Sequence, residues 1–409
     1  MADQLLNGAP VIVFAKTLGA SATVLGIIAS FLPLTSLLMV PAARYMERYS
    51  YRNFSLLGQN WRIVFGLLIA LIPWMVFLDN AIRLAILVFS LLVVNLMRLP
   101  VTTAWVPWIT AVVPAERRGH FLSINQLFTV MGGLLLLVAA TLVMHGATGA
   151  WEFSLIFGIN TAAVILCQYF LRRMPEARAE EGSKSSHPVP WGAMLRYRPF
   201  ANLILFNLAW VLTLGSVDVF RISFLRDQKH FGATAIFFFS AFSYVGAIIA
   251  LPVTSRILDR VGSKPMLRLS ALSYTIPFFI WFLIASGVLG CPGWLPPVLY
   301  TMTGIGWAVF TVSNIRVLMG ILPLMGRNHF FALYSVIAGL GTGLAPIVWG
   351  MVLDALKGFE WNMGVIHWSR YSIYFFALMI LNIVTMFLSG ILSDSPTAYR
   401  EKPASVGAN

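Results

Sequence analysis

The sequence predicts an all-α polytopic membrane protein, and three observations carry that prediction. Of its 409 residues 59% are hydrophobic and 11% charged, with a mean hydropathy of +0.82; a soluble domain averages about 45 to 50% apolar and about 25% charged residues. Apolar runs long enough to cross a bilayer follow one another along most of the chain. Short loop sequences of the first half recur in the second at nearly constant spacing. This composition argues against a soluble enzyme or a nucleic-acid-binding module, so the net charge of +13 and the pI near 10.1 are read against a bilayer. At roughly 20 residues per span plus short loops, the length allows about twelve helices and no sizeable extramembrane domain.

The first apolar segment, Leu5 to Leu18, is short, carries Lys16 and has no positively charged leader before it. It fits neither a signal peptide nor a complete span. Full spans are predicted at 22–42, 60–78, 84–112, 121–144 and 151–171. Arg172 to Pro199 interrupts the series: it is charged, contains Glu-Glu-Gly-Ser-Lys-Ser-Ser with Pro175, Pro188 and Pro190, and ends in Trp191 to Tyr197. That pattern reads as a flexible linker closed by a short interfacial helix. Further spans follow at 200–225, 235–253, 267–288, 296–321, 330–353 and 369–392, and the polar tail from Ser393 is expected to be disordered. The chain thus divides into a first half (1–171), a linker (172–199), a second half (200–392) and a tail (393–409). Cys167 and Cys291 form no disulfide framework.

Orientation follows from the basic residues, which collect in cytoplasmic loops next to spans. One side holds Arg44, Arg48, Arg52 and Arg62, then Arg117 and Arg118, the basic residues of the linker, Arg256, Arg260, Lys264 and Arg268, and Arg327, Arg400 and Lys402. The other has only Lys16, Arg83, Arg226, Lys229, Lys357 and Arg370. The linker and C-terminus are therefore expected in the cytoplasm and the protein in the cell (inner or plasma) membrane. Most of the positive charge is topology rather than polyanion binding, and no nucleic-acid partner is expected.

VVPAERRGHF at 112–121 reappears as ILPLMGRNHF at 321–330, with Pro114, Arg118, His120 and Phe121 matching Pro323, Arg327, His329 and Phe330. ARYMERYSYR at 43–52 is matched by SRILDRVGSK at 255–264, and LGAS at 18–21 by FGAT at 231–234. Two homologous halves in parallel orientation are a pattern of membrane transporters. SRILDRVGSK also resembles the G-x-x-x-D-R-x-G-R-R/K loop that follows the second helix of each half in the major facilitator superfamily. Asp259, Arg260, Gly262 and Lys264 match it, while Ser255 replaces the first glycine. The N-terminal copy keeps Arg48 and Arg52, with Ala43, Glu47 and Ser50 at the other positions.

The resemblance implies two pseudo-symmetric six-helix bundles, about twelve helices with the first incomplete, that rock about a central cavity to give alternating access. It assigns Glu47, Arg48, Arg52, Asp259, Arg260, Gly262 and Lys264 to a gating loop, in which the acid and arginines hold neighbouring helix ends. Helix-end carbonyls do attract cations, and a carboxylate orients an arginine; a pure topology signal is the alternative. Aligning FGAT with LGAS puts the start of helix 1 upstream of residue 1, so about half of that helix is expected to be missing, through a start codon lying further upstream or a truncated paralogue.

In such a fold, helices 1, 4, 7 and 10 line the cavity. Arg98 on helix 4 lies 16 residues before Pro114, roughly 24 Å along a helix, where an arginine costs at least about 2.5 kcal/mol unless paired or wet. It reads as a clamp on substrate or as a structural pair, with Asn95 beside it. On helix 7, Asp218 and Arg221 are spaced i, i+3. Asp218 is the proton-coupling candidate; a local ion pair with Arg221 is the competing account. Helix 10 supplies Thr303, Trp307 and Asn314, of which Trp307 and Asn314 are the substrate candidates, and Arg316 near the cytoplasmic end. Asn7 and Lys16 receive no role, and Asn207 reads as interhelical glue.

No phosphate-binding G-x-x-x-x-G-K-[ST] loop, metal-spaced histidines or catalytic carboxylate pair occurs, so no cofactor, no metal and no enzymatic activity are expected. The expected function is secondary transport of a small organic solute bearing a carboxylate or other anionic group, with or without a co-transported proton, by a monomer embedded in lipid. An exporter of amphiphilic, drug-like compounds and a non-transporting membrane sensor or partner are the alternatives; helix 5 lacks the Gly-Pro pattern of the family's drug–proton antiporters.

Overall fold

In the computed structural model, residues 3–39, 42, 50–113, 115–144, 149–176, 191–321 and 327–392 are described. Helices dominate. α1 (Asp3–Asn7) and α2 (Ala9–Thr17) are separated at Gly8, and α3 (Ala22–Ser36) follows. α4 (Tyr51–Leu71) runs into a 3₁₀ turn at Ile72–Trp74, and α5 (Asn80–Val112), α6 (Ala115–Val143) and α7 (Ala150–Arg173) come next. Beyond the linker lie α8 (Trp191–Arg196), α9 (Arg198–Leu214), α10 (Val217–Asp227), α11 (Ala233–Val261) and α12 (Ser263–Ala285). The chain continues with α13 (Leu295–Ile321), α14 (Arg327–Ala355), the antiparallel strands β1 (Glu360–Met363) and β2 (Ile366–Ser369), and α15 (Arg370–Leu388). Among the described residues nine helices are long and apolar enough to cross a membrane, with shorter apolar helices at Ala22–Ser36 and Phe128–Val143. The end of the bundle bearing Arg173 and Tyr197 is called the linker end, and the opposite one the far end.

α4 begins at Tyr51, well before the start near 60 that hydropathy predicts. Its first turns are polar, but they are satisfied inside the protein. Ser50 caps the helix by accepting from the Asn53 amide, buried Arg62 donates to Gln59 Oε1, and Gln168 of α7 donates to Asn60. Arg62 is thus a helix-interior residue rather than a loop charge. The predicted helix at 200–225 is interrupted at Gly215 and Ser216, where the Ser216 hydroxyl meets the Tyr374 hydroxyl of α15 at 2.8 Å.

Close packing in the second half rests on small residues, as expected where lipid supplies no hydrophobic drive between helices. α11 and α13 touch backbone to backbone at Gly246 and Gly304: a Cβ on Gly246 would strike the Thr301 carbonyl, and one on Gly304 the Ser243 carbonyl. The halves pack on each other most extensively through α3 with α14 and α6 with α11, and also through α2 with α10. Gly26 of α3 lies against the Pro346 backbone of α14. Both cysteines are free thiols; burial pushes the Cys291 thiol upward in pKa while nearby Lys229 opposes the shift.

Candidate functional site

The two interrupted helices meet within the bundle. The break at Gly8 and the break at Gly215–Ser216 leave α2 and α10 as short helices from opposite halves that pack on each other. Beside them lies a cavity of about 150 Å³, roughly five waters' worth of liquid volume. The first half contributes Leu5, Asn7, Gly8, Ala9 and Ile12, with Gly133 and Leu137 of α6. The second contributes Asp218, Val219, Arg221 and Ile222 of α10, Ser240, Ser243 and Tyr244 of α11, and Tyr300 of α13.

Asp218 and Arg221 face different surroundings although they touch. Arg221 Nη2 donates to Asp218 Oδ1 at 2.7 Å, yet the arginine side chain is 1% exposed and the aspartate 87%. Arg221 Nη1 also donates to Thr303 Oγ1 at 3.1 Å, and its guanidinium carbon lies 3.5 Å from the Tyr300 ring centroid. Three partners therefore hold the guanidinium below the cavity surface, while the carboxylate projects into the open space. Asp218 also sits in the first turn of α10, where the helix dipole favours a negative charge.

The other sequence candidates lie in distinct places. Asn95 is buried on α5 and donates to Asn7 Oδ1 at 3.1 Å and to the Leu91 carbonyl at 2.9 Å, so it stands behind a cavity residue. Arg98, half-buried on the same helix, is not among the cavity-lining residues. Trp307 is 44% exposed on α13 and is not among the cavity-lining residues. Asn314 is buried in a closed triad: it donates to Asn207 Oδ1 (2.9 Å) and to the Tyr334 hydroxyl (2.7 Å), and accepts from Asn207 Nδ2 (3.1 Å). This triad ties α9, α13 and α14 together. Of the loop residues, Glu47, Arg48 and the Asp259 side chain fall outside the described set. Arg52 pairs with Glu176 at 3.1 Å, Arg260 is exposed, Lys264 is half-buried at the start of α12, and Gly262 turns the chain between α11 and α12 at φ +87°. The helix-end carbonyl of Leu258 is taken by Arg316, at 2.8 Å.

Sequence reasoning passed over Ser240, Ser243, Tyr244 and Tyr300. The first three recur at i, i+3, i+4 in the otherwise apolar α11, a polar stripe that periodicity could have marked. Tyr300 lies one turn before Thr303.

At the far end, polar links cross between the halves. Lys16 Nζ lies 2.7 Å from Asp227 Oδ2. The same carboxylate oxygen receives the Tyr371 hydroxyl (3.0 Å), the Ser223 hydroxyl (3.2 Å) and Arg370 Nη2 (3.4 Å). Asp354 of α14 accepts from the Ala22 amide (3.0 Å) and from the Thr23 amide and hydroxyl (2.8 and 2.6 Å), so one half caps the first turn of α3 in the other. Thr234 donates to the Met144 carbonyl at 2.6 Å.

This architecture has known counterparts. The nucleoside transporter NupG, in a crystal structure of a point mutant, superposes with a TM-score of 0.74 at 15% identity, over 95% of this chain and 96% of that one. The inward-open xylose transporter XylE from E. coli gives 0.71 at 13% identity, covering 97% and 96%. A bacterial homologue of the iron transporter ferroportin in an inward-facing state gives 0.69 at 15%, covering 95% and 97%. Those identities speak to fold alone. No curated relative matches in sequence. The sequence profile of the Major Facilitator Superfamily, however, matches residues 1–346. A polytopic helical chain built round a cavity between two interrupted helices, and matched to that profile over most of its length, is a transporter rather than an enzyme and belongs to the Major Facilitator Superfamily.

Proposed function

We propose that the protein moves a small neutral, hydroxyl-bearing solute across the cell membrane by alternating access, with Asp218 as the group that receives the solute's hydroxyls. The linker and C-terminus then lie in the cytoplasm, as the basic loops require. One observation carries the reading: the charge of Arg221 is engaged within the protein by Asp218, Thr303 and Tyr300, and the exposed ionic group in the cavity is a carboxylate. An anionic solute would have to approach that carboxylate, whereas hydroxyls can donate to it. Asn7, Ser240, Ser243 and Tyr244 supply further hydrogen-bonding groups from both halves. Arg98, the basis of the anionic reading, stands apart from this lining. Two structural neighbours carry a nucleoside and D-xylose by name, solutes of the same neutral, hydroxylated kind.

A second reading concerns energy: Asp218, exposed to the cavity, is the candidate for carrying a coupling proton. Thr303 and Tyr300 would keep Arg221 in place whether the carboxylate is charged or protonated.

Selective binding raises apparent stability, so the test is a thermal-shift screen of the purified protein against nucleosides, monosaccharides, polyols, carboxylates and organic cations, with Asp218→Asn in parallel. Neutral hydroxylated solutes should stabilise the parent, with affinity reduced about tenfold in the variant, the equivalent of one lost hydrogen bond to a charged group. Stabilisation by carboxylates alone would restore the anionic reading. A response confined to apolar cations would favour an exporter of amphiphilic compounds.

A further inference from the structure

In the segment joining α14 to α15, the ten residues Glu360–Ser369 form a two-faced hairpin that no part of the transport cycle described above uses. The register pairs Glu360 with Ser369, Trp361 with Trp368, Asn362 with His367 and Met363 with Ile366. Cross-strand partners share a face and successive residues alternate. One face is therefore Trp361, Met363, Ile366 and Trp368, and the other Glu360, Asn362, His367 and Ser369. The turn is the two-residue Gly364–Val365, with Gly364 at φ +62°, which suits a turn with glycine at its first central position.

The hairpin leans on the bundle by its apolar face. Trp368 packs against Phe282 of α12 and Phe376 of α15, with ring centroids 5.6 and 5.5 Å apart, and the His367 amide donates to the Ser286 carbonyl at the end of α12 at 3.0 Å. Ile366 is partly buried against the core, whereas Trp361 and Met363 of that face and Val365 of the turn are uncovered, at 55%, 60% and 84% exposed. The hairpin is rooted on α12 through Trp368 over Phe282, and one and two turns before Phe282 that candidate span exposes Phe279 and Ile276. The candidate spans on either side end at Ala355 and begin at Arg370, which puts the hairpin at headgroup level. Tryptophan is enriched there because its ring has an apolar body and a polar edge.

We propose that the β1–β2 hairpin is a membrane anchor, with Trp361, Met363 and Val365 inserted at the headgroup–acyl boundary of the leaflet at the far end. The lipid bilayer is the partner because the apolar face is rooted beside exposed apolar residues of a candidate span and lies between two span ends, while Glu360 and Asn362 occupy the opposite face. The root of the hairpin meets the far-end links. Ser369 caps α15 through a capping box with Ser372 and receives Gln228 Nε2 at 3.3 Å, and Arg370 and Tyr371 then reach Asp227. A hairpin held by lipid thereby holds the first turn of α15 against the residue that Lys16 grips.

The test uses the full chain in lipid nanodiscs, with Cys167→Ser and Cys291→Ser removing the native thiols. A nitroxide is placed in turn at Met363→Cys, Val365→Cys and Asn362→Cys, and its collisions with oxygen, which partitions into lipid, and with a water-soluble nickel chelate are measured. Labels at 363 and 365 should be oxygen-accessible and several-fold better shielded from the chelate than the label at 362, which provides the control for a folded hairpin. Equal chelate access at all three positions would overturn the proposal. Spin–spin broadening at 363 and 365 that grows with the number of copies per disc would also overturn it, in favour of a second copy as the occupant.

Discussion

Arg221 combines an exposed partner with two buried ones, and their magnitudes decide what the residue does. The contact with Asp218 involves a carboxylate that is 87% exposed, so water screens it and it contributes at most about 1 kcal/mol. Stacking of a desolvated guanidinium on a ring contributes about 2 kcal/mol, and the bond to Thr303 adds a charged hydrogen bond of about 1.5 to 3 kcal/mol. Stability should therefore depend on the stack and the fork more than on the ion pair. Arg221→Lys retains the charge but cannot stack while bonding two partners. It is expected to lower stability by about 2 to 4 kcal/mol, against less than about 1 kcal/mol for Asp218→Asn, and thermal unfolding in one detergent ranks the two. The reverse order would mean that the ion pair dominates. Asp218 and Arg221 are legible in sequence because ionisable groups stand out in an apolar run. Tyr300 and Tyr244 are not, since tyrosines in a membrane helix serve core, interface and cavity alike, and one sequence does not say which face turns inward.

Interruptions and end contacts of helices, rather than their lengths, set up the site. Apolar runs reveal where most spans lie because desolvating a backbone demands a helix of nearly fixed length. They do not register the breaks at Gly8 and Gly215–Ser216, although Pro10 follows the first and Asp218 the second, because an apolar run reads through both and the stabilising contact, Ser216 with Tyr374, is tertiary. The early start of α4 is hidden likewise, because Arg52 and Gln59 look like loop residues until Glu176 and Arg62 are seen to engage them. The hairpin at 360–369 is written in its alternation and its glycine, but it is too short for a hydropathy window to register. At the far end, Lys16 is the cation that the first half gives to Asp227, whereas Arg370 comes from the same half as the acid. Lys16→Ala should therefore loosen the contact between halves, and Arg370→Ala should leave it. A partly buried pair contributes on the order of 1 kcal/mol, so the far-end-open population should rise up to about fivefold. With Ser243→Cys in a background lacking the native cysteines, labelling by a membrane-impermeant thiol reagent added at the far side reads that change. Equal labelling in the two variants would remove the link from the closing mechanism.

Across the whole molecule, a group that works in alternating access must lie where both halves contribute and must meet water on whichever side is open. Asp218 lies in such a cavity, across from Asn7 and Gly8 of the first half. It is attached to a guanidinium that two other residues hold, so losing its charge leaves the local structure standing. Solute binding and proton carriage can therefore be separated at one residue. An asparagine in its place would still accept a hydrogen bond through the amide oxygen, but it cannot take up a proton. If Asp218 carries the coupling proton, Asp218→Asn in proteoliposomes should abolish solute accumulation driven by a pH gradient. Counterflow exchange of labelled for unlabelled solute should persist, because exchange needs the halves to rock but no net proton movement. If the carboxylate serves solute alone, both activities should fall together by about tenfold, the weakening of one charge-assisted hydrogen bond, and the pH dependence of the residual accumulation should match that of the parent. Coupling is thus read from the ratio of accumulation to exchange, which a defect in folding or expression lowers in both and leaves unchanged.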